Sequence, residues 1–376
     1  MRDKSITWVI DHLGYGGTQR VLNFLVAYFA KRGYSQRIIC LNKVIDKRSN
    51  YELDKLGVRV LFVGRWRLLV GFGMPLIFYW LVRRKSEYLF SFLFFSDVIS
   101  LPLAKLARVP NRISAVRANN LNYSVWQHWL LRKSIKSATS VTCNSKLLTT
   151  YIEQYLGIPR KDIVVLPNPV EIKPLPKKGR KGQLRNELRI SERASLIGSC
   201  GRISHQKGYD CLLEAMKILD DLDIHLVVFG EGKERKQLTR KAASLGITDR
   251  VNFPGHREDV EELLSSVDLY VQTSRFEGMP NSLIEAMAYE CVVIGSNIDG
   301  ISELLGSEQR GWLVPPDQPT VLANTIRKAL ENKEESREKA ELARIFVKTH
   351  FEKDKACAIW ESFMTNQNRK MTNPIH

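Results

Sequence analysis

Short apolar runs separated by helical patterns recur along the chain, and that alternation restricts what it can fold into. In the first half the runs are Ile6–Asp11, Ser35–Leu41, Val58–Val63, Tyr88–Phe92, Arg112–Val116, Val141–Cys143 and Ile163–Leu166. Helical patterns lie between them at Thr18–Lys31, Asp97–Ala107, Val125–Lys136 and Lys146–Leu156. Brief apolar runs bounded by turns read as strands buried on both faces, and their alternation with helices predicts a parallel α/β sheet. A stretch rich in Pro, Lys and Gly at Lys173–Gly182 interrupts the series. The plan then repeats, with strands at Leu196–Cys200, His225–Phe229, Val251–Pro254, Leu269–Gln272 and Val292–Gly295, and helices at Tyr209–Leu219, Glu234–Leu245, Val260–Ser265 and Leu283–Ala288. A chain of 376 residues exceeds the ~250–300 at which single cores stop growing. The predicted division is a domain at 1–172, a linker at 173–187, a second domain at 188–345 and a C-terminal helical segment at 346–376 that crosses back to the first. The expected fold class is α/β, with two Rossmann-like, doubly wound parallel-sheet domains facing across a cleft lined by strand C-terminal ends.

Charge is divided as sharply as structure. Residues 1–173 carry 27 Lys and Arg against 10 Asp and Glu, whereas 174–376 carry 30 of each, so the whole formal excess of +17 lies in the first half. A one-sided basic field attracts polyanions or anionic membrane surfaces and says nothing about fold. No zinc-finger spacing, aromatic RNP motif or helix-turn-helix pattern accompanies it, which argues against nucleic acid and for a membrane surface or a phosphorylated acceptor. The longest apolar stretch, Leu68–Val82, contains two glycines and a proline and is shorter than the ~20 residues that span a bilayer. Its flanks, Arg65, Arg67, Arg83, Arg84 and Lys85 with Trp66, Tyr79 and Trp80 nearby, fit an interfacial segment as well as a core helix with solvated basic ends. The run Ile6–Ile10 is too brief for a signal-peptide core. A cytoplasmic protein, peripheral on the inner face of the cytoplasmic membrane, is therefore expected. The six cysteines form no C-x-x-C pair and read as reduced core residues.

Two loops carry the chemistry. Arg275-Phe-Glu-Gly-Met-Pro-Asn-Ser-Leu-Ile-Glu-Ala-Met-Ala288 follows a strand and places Glu277 and Glu285 eight positions apart. Ionised carboxylates only accept hydrogen bonds, which suits a ligand rich in hydroxyls, and the turn Gly278, Met279, Pro280, Asn281, Ser282 between them opens a helix whose N-terminus suits a phosphate or sugar oxygen. Taken alone, Ser282 and Glu285 read equally well as a capping box. The second loop, Gly201-Arg-Ile-Ser-His-Gln-Lys-Gly208, again follows a strand. Arg202 and Lys207 there can neutralise a diphosphate, Arg through a planar fork and Lys as a point charge. Charge on a leaving diphosphate grows as its bond breaks, so fixed cations favour the transition state. A solvated loop is the plainer reading of either cation, and less so of both beside paired glutamates.

The pattern resembles glycosyltransferase family 4, of the GT-B fold. Glu277…Glu285 matches its E-x7-E motif, Gly201-Arg202…Lys207-Gly208 its diphosphate loop and Gly16-Gly17 its N-terminal glycine pair. The resemblance implies that Glu285 binds the donor ribose, Glu277 the transferred hexose, and Arg202 with Lys207 the diphosphate. It also implies that Gly16 and Gly17 approach the donor by their backbone, that Gly230 in Phe229-Gly-Glu-Gly-Lys233 lies close to nucleotide, and that Arg257 in Gly255-His-Arg-Glu-Asp-Val260 borders the base. No metal and no cofactor beyond the nucleotide-sugar substrate, most commonly a UDP-sugar, are implied. Retention at the anomeric carbon is, with the leaving phosphate taking the acceptor's proton on the same face. One stretch departs from the family: Ser114–Asn120 holds Arg117 and Asn119 where many members carry a histidine. Arg117 there either contacts donor or acceptor phosphate or pairs with a core carboxylate.

The resulting expectation is a metal-independent retaining transferase that moves a hexose or N-acetylhexosamine from a nucleotide diphosphate sugar to a lipid-linked saccharide in bacterial surface-polysaccharide synthesis. The rival readings are a nucleotide-sugar oxidoreductase or epimerase and a non-catalytic binding module for nucleotide sugar or nucleic acid. The first lacks a dinucleotide fingerprint, because Gln19 stands where the third glycine counted from Gly14 would fall. The second is favoured by charge alone.

Overall fold

The computed structural model describes residues 4–14, 16–45, 52–119, 121, 123–175, 181–257, 259, 263–264 and 266–372. Of the features expected above, Tyr15, Asn120, Lys177 to Arg180, Glu258 and most of the helix over 260–265 lie outside the described residues. The chain forms two compact units, Met1–Pro169 with Lys353–His376, and Val170–Glu352.

The first unit is built on a seven-stranded sheet in the order β3-β2-β1-β4-β5-β6-β7. Its strands are β1 (Ser5–Ile10), β2 (Ser35–Cys40), β3 (Arg59–Phe62), β4 (Tyr88–Phe92), β5 (Asn111–Val116), β6 (Ser140–Cys143) and β7 (Ile163–Val165). All neighbours pair in parallel. Every residue of β1 and β4 is buried, as a parallel sheet covered on both faces requires. The helices are α1 (Gly17–Ala30), α2 (Arg65–Leu69), α3 (Gly73–Arg84), α4 (Phe94–Leu106), α5 (Val125–Ile135) and the single turn α6 (Leu148–Tyr151). The apolar stretch 68–82 is thus split between two helices. The break falls at Gly71, whose φ of +83° is a conformation that a side chain disfavours. Helix α3 buries only Gly73, Ile77 and Leu81, a narrow stripe that leaves Phe78, Tyr79 and Val82 exposed.

The second unit carries a six-stranded parallel sheet, β10-β9-β8-β11-β12-β13. These strands are β8 (Ser195–Cys200), β9 (Ile224–Phe229), β10 (Val251–Gly255), β11 (Leu269–Gln272), β12 (Val292–Ser296) and β13 (Trp312–Val314). Its helices are α7 (Lys181–Glu187), α8 (Tyr209–Ile218), α9 (Arg235–Ser244), α10 (Asn281–Ala288), α11 (Asp299–Leu305), α12 (Pro319–Glu331) and α13 (Lys333–His350). The end of the expected linker 173–187 is helical. Leu184 of α7 enters the core, and the buried Arg185 pairs with Asp268 at 2.5 Å, interactions that a basic, glycine-containing run does not advertise.

The last helix, α14 (Lys353–Thr372), belongs to the first unit. The two points where the chain passes between units are tied together, Val170 donating its N–H to the Phe351 carbonyl at 2.8 Å. Trp360 anchors α14: its ring lies 5.7 Å from Phe90 and 6.4 Å from Phe92, and its indole N–H donates to the Pro167 carbonyl at 2.9 Å. Among the described residues no helix is long and apolar enough to cross a membrane. Removing the fully buried Trp360 side chain with Trp360→Ala is predicted to destabilise the first unit by about 3–5 kcal/mol. Native-state hydrogen exchange reads the result, with β4 and β5 amides losing protection while those of β8 and β11 keep theirs.

Candidate functional site

The second unit gathers the predicted residues at the C-terminal ends of β8 and β11, and the two loops there are bonded to one another. Thr273 donates its hydroxyl to the Lys207 carbonyl at 2.9 Å, and Gln206 donates its side-chain amide to the Phe276 carbonyl at 2.9 Å. The Arg275 N–H reaches the Gln206 carbonyl at 2.8 Å. Gly208 makes the approach possible. Its φ is +62°, and a Cβ there would sit 2.2 Å from the Thr273 carbonyl oxygen, so any side chain would force the loops apart.

Across this junction the Lys207 ammonium pairs with the Glu277 carboxylate at 2.6 Å, both side chains about one-eighth exposed (12%/12%). Glu277 ends a buried chain of donors. The Tyr270 hydroxyl donates to Gln272 Oε1 at 2.8 Å, Gln272 Nε2 to Ser274 Oγ at 2.7 Å, and Ser274 Oγ to Glu277 Oε1 at 3.2 Å. Ser282 also donates to Gln272 Oε1, at 3.1 Å. That contact bears on the capping-box alternative: the N-cap of α10 is Pro280, and no side chain caps it. Ser282 is inside the first turn, and Glu285, one turn further, is buried at 7% exposure.

Arg275 braces the same junction from outside. Its guanidinium makes a fork to Asp210 at 3.0 and 2.8 Å, donates to the His205 carbonyl at 2.7 Å, and pairs with Asp317 at 2.7 Å. Burial alone would raise the Asp210 carboxyl; the Arg275 fork outweighs it and holds the group below the ordinary aspartate range. Arg202, by contrast, is exposed, and its guanidinium has no hydrogen bond or ion pair among the described residues. It is presented to solvent beside the braced Lys207.

The remaining predicted donor contacts divide. Met279 puts its side chain into the core, and the Gly278 carbonyl lies where a Cβ on Gly300 would fall, at 1.5 Å. Asn281 opens α10. Gly230 is needed by the neighbouring loop, since a Cβ there would meet the Gly201 carbonyl oxygen at 2.0 Å. Arg257 is held by Glu187 and, at 2.8 Å, by Asp259.

In the first unit, Gly16 precedes α1 and Gly17 begins it. A Cβ on Gly16 would fall 2.2 Å from the Gln19 side-chain oxygen. Gln19, the residue that spoils a dinucleotide fingerprint, folds back and donates to the His12 carbonyl at 3.1 Å. Arg117 has no carboxylate partner among the described residues. Its guanidinium lies over Trp360 at 4.9 Å and Phe92 at 5.2 Å and donates to Asn168 Oδ1 at 2.9 Å. Burial lowers it to about 10, so it remains charged at neutral pH. Asn119 is buried two residues on. Two carboxyls at this edge were not singled out in the sequence. Asp11 accepts from the Ser96 N–H and hydroxyl at 2.8 and 2.6 Å. Asp97 accepts from Ser114 at 2.9 Å, and burial pushes it up to about 8.

Two family profiles match this chain, Glycosyltransferase Family 4 over residues 15–173 and Glycosyl transferases group 1 over 180–345. An uncharacterized glycosyltransferase of Haemophilus influenzae is 26% identical over 336 residues, 82% of this chain and 86% of that one. The N-acetyl-alpha-D-glucosaminyl L-malate synthase of Bacillus anthracis is 29% identical over 62% of this chain and 61% of its own. Among solved structures, Anabaena HepE in complex with UDP-glucose superposes with a TM-score of 0.86 at 19% identity, covering 96% of this chain and 99% of that one. This likeness shows the GT-B fold. The chain belongs to the family 4, group 1 glycosyltransferases, and it is a transferase.

Arg275→Ala is predicted to lower kcat/KM for sugar transfer roughly 10–100-fold, as expected for losing charge-assisted bonds worth about 1.5–3 kcal/mol. Arg275→Lys should recover little of it, because an ammonium cannot hold a fork to Asp210 and reach Asp317 together. Steady-state rates on protein with unchanged circular dichroism check this; wild-type rates in Arg275→Ala would mean the brace is dispensable.

Proposed function

We propose that this protein is a retaining, metal-independent glycosyltransferase that moves a hexose or N-acetylhexosamine from a UDP-sugar to a lipid-linked saccharide of the kind used in bacterial surface-polysaccharide assembly. The observation that carries the donor half is the braced junction of Lys207 and Glu277 beside the exposed Arg202. A cation held against a carboxylate at a strand end serves both parts of a sugar diphosphate: Lys207 and Arg202 take the diphosphate, and Glu277 accepts from sugar hydroxyls. The UDP-glucose bound by HepE supports the choice of base. Glu285, buried on α10, is the acceptor for the ribose hydroxyls.

In the reaction the bond between the anomeric carbon and the diphosphate oxygen breaks, and the acceptor oxygen bonds to that carbon on the same face. The acceptor's proton passes to the departing phosphate oxygen. Arg202 and Lys207 stabilise the growing negative charge, so the chemistry needs no divalent cation. For the acceptor half, the concentration of all +17 in residues 1–173 supports a donor domain of balanced charge working beside an anionic surface. A second reading has a water-soluble acceptor, as the name of the malate synthase relative suggests for that enzyme.

A panel of UDP- and GDP-sugars, read by nucleotide release with and without membrane extract, tests both halves. Release should be fastest with a UDP-sugar, rise with the extract and persist in chelator. GDP preference, or activity lost in chelator and restored by magnesium, would contradict the donor and metal parts respectively. Glu285→Gln should weaken UDP binding by about 1.5–3 kcal/mol, whereas Glu277→Ala should depress kcat more than UDP affinity. Unchanged UDP affinity in Glu285→Gln would remove that residue from the site.

A further inference from the structure

Two buried tyrosines of the second unit stand behind the junction of Lys207 and Glu277, and their hydroxyls are used differently. Tyr270 of β11 is fully buried and donates to Gln272 Oε1 at 2.8 Å, so it feeds the chain of donors that ends on Glu277. Tyr209, the first residue of α8, is 3% exposed, and its hydroxyl has no hydrogen-bonding partner among the described residues. The hydroxyl of Ser199, near it on β8, is already donated to the Val271 carbonyl at 2.7 Å. Buried donors are satisfied almost everywhere in folded proteins, and one left unmade costs stability. Tyr209 carries that cost next to the braced ion pair. A Cβ on Gly201 would lie 3.1 Å from the Tyr209 hydroxyl oxygen and 3.2 Å from Lys207 Nζ. The unpartnered hydroxyl and the ammonium therefore converge on one point, which glycine leaves without a side chain. Burial foremost, then Cys200 and the Glu277 carboxylate, hold the hydroxyl well above the ordinary tyrosine range, so it keeps its proton and can donate it.

We propose that Tyr209 is a positioning residue whose hydroxyl is held in reserve for the donor-bound state, where it bridges Lys207 and Glu277 once a diphosphate draws them apart. In the free protein the two charges satisfy one another at 2.6 Å, and the phenol is idle. A bound diphosphate competes for Lys207 and takes from Glu277 its strongest partner. Both groups are about seven-eighths withdrawn from solvent (12%/12% exposed), where a charge without a partner is expensive. A phenol turns about its C–O bond and can donate and accept at once. It then donates to the carboxylate and accepts from the ammonium, so neither charge is stranded. The unmade bond of Tyr209 is thus a cost that the free protein carries and that ligand binding removes, a trade of stability for function. The inference deepens the nucleotide-diphosphate reading of this site and rests on it.

The test compares full-length wild type, Tyr209→Phe and Tyr270→Phe by thermal unfolding, free and with ligand, and by calorimetric titration. The ligand is UDP, or GDP if wild type prefers it. Free Tyr209→Phe should unfold at the wild-type midpoint or above it, because it loses no bond. It should nevertheless bind the nucleotide about tenfold more weakly, as for a lost bond to a charged group, and gain correspondingly less in midpoint from the ligand. Free Tyr270→Phe should behave oppositely, with a midpoint lower by about 2–4 °C, since its hydroxyl is already bonded. The contrast between the two tyrosines also reports that Tyr209→Phe folds. A lower free midpoint in Tyr209→Phe, whatever its affinity, would make the hydroxyl a structural group and overturn the inference. Wild-type affinity in Tyr209→Phe would overturn it too, and would leave the donor reading standing. Wild type that binds neither nucleotide would sink the donor reading and this inference with it.

Discussion

The ion pair between Lys207 and Glu277 is the contact on which the junction of the loops after β8 and β11 depends. Two oppositely charged groups withdrawn from most solvent are tolerated only when the geometry is good and the remaining hydrogen-bonding capacity is met. Here Ser274 supplies the carboxylate with a further donor, and that donor is itself fixed through Gln272 and Tyr270. The pair therefore does two things at once. It closes the junction between the loops after β8 and β11, and it sets a cation and an anion side by side, each partly open to solvent. A ligand carrying a diphosphate next to a polyol offers each of them a replacement partner, so binding exchanges one set of charge-assisted bonds for another instead of breaking them.

The first unit solves a different problem, the placement of a permanent charge among rings. Arg117 lies over Phe92 and Trp360 with a side-chain amide as its hydrogen-bonding partner. Since Trp360 comes from α14, the C-terminal end of the chain helps to hold a cation at the edge of the sheet from which the Gly16–Gly17 loop also departs. Flat contact with aromatic faces stabilises guanidinium where a carboxylate partner is missing. Among the described residues no carboxylate pairs with this guanidinium, whose Nε and Nη2 are buried without a hydrogen-bonding partner.

Much of this was legible in the sequence, because parallel strands buried on both faces write themselves as short apolar runs. Tyr88–Phe92 and Leu269–Gln272 begin and end where the apolar runs do. The spacing of Glu277 and Glu285 and the cations of the Gly201–Gly208 loop were also visible. What the sequence concealed depends on distant partners. Gln272 and Ser274 look like the ordinary end of a strand until Tyr270 and Glu277 are seen on either side of them. Arg275 is one more surface arginine until Asp210 and Asp317, 65 and 42 residues away, converge on it. The linker ended early because Leu184 and Arg185 find partners that composition does not reveal. Gly230 also gives room to the Gly201 carbonyl, an approach visible only once the two loops are seen together.

The most direct test is a double-mutant cycle in which Lys207→Met, Glu277→Gln and the pair are compared by the rate of nucleotide release from a UDP-sugar. If the two groups act as one unit on the donor, each single change should cause nearly the whole loss and the double variant should be little worse, a coupling of about 0.5–3 kcal/mol. Additive losses would mean that the residues act separately and that the ion pair organises nothing.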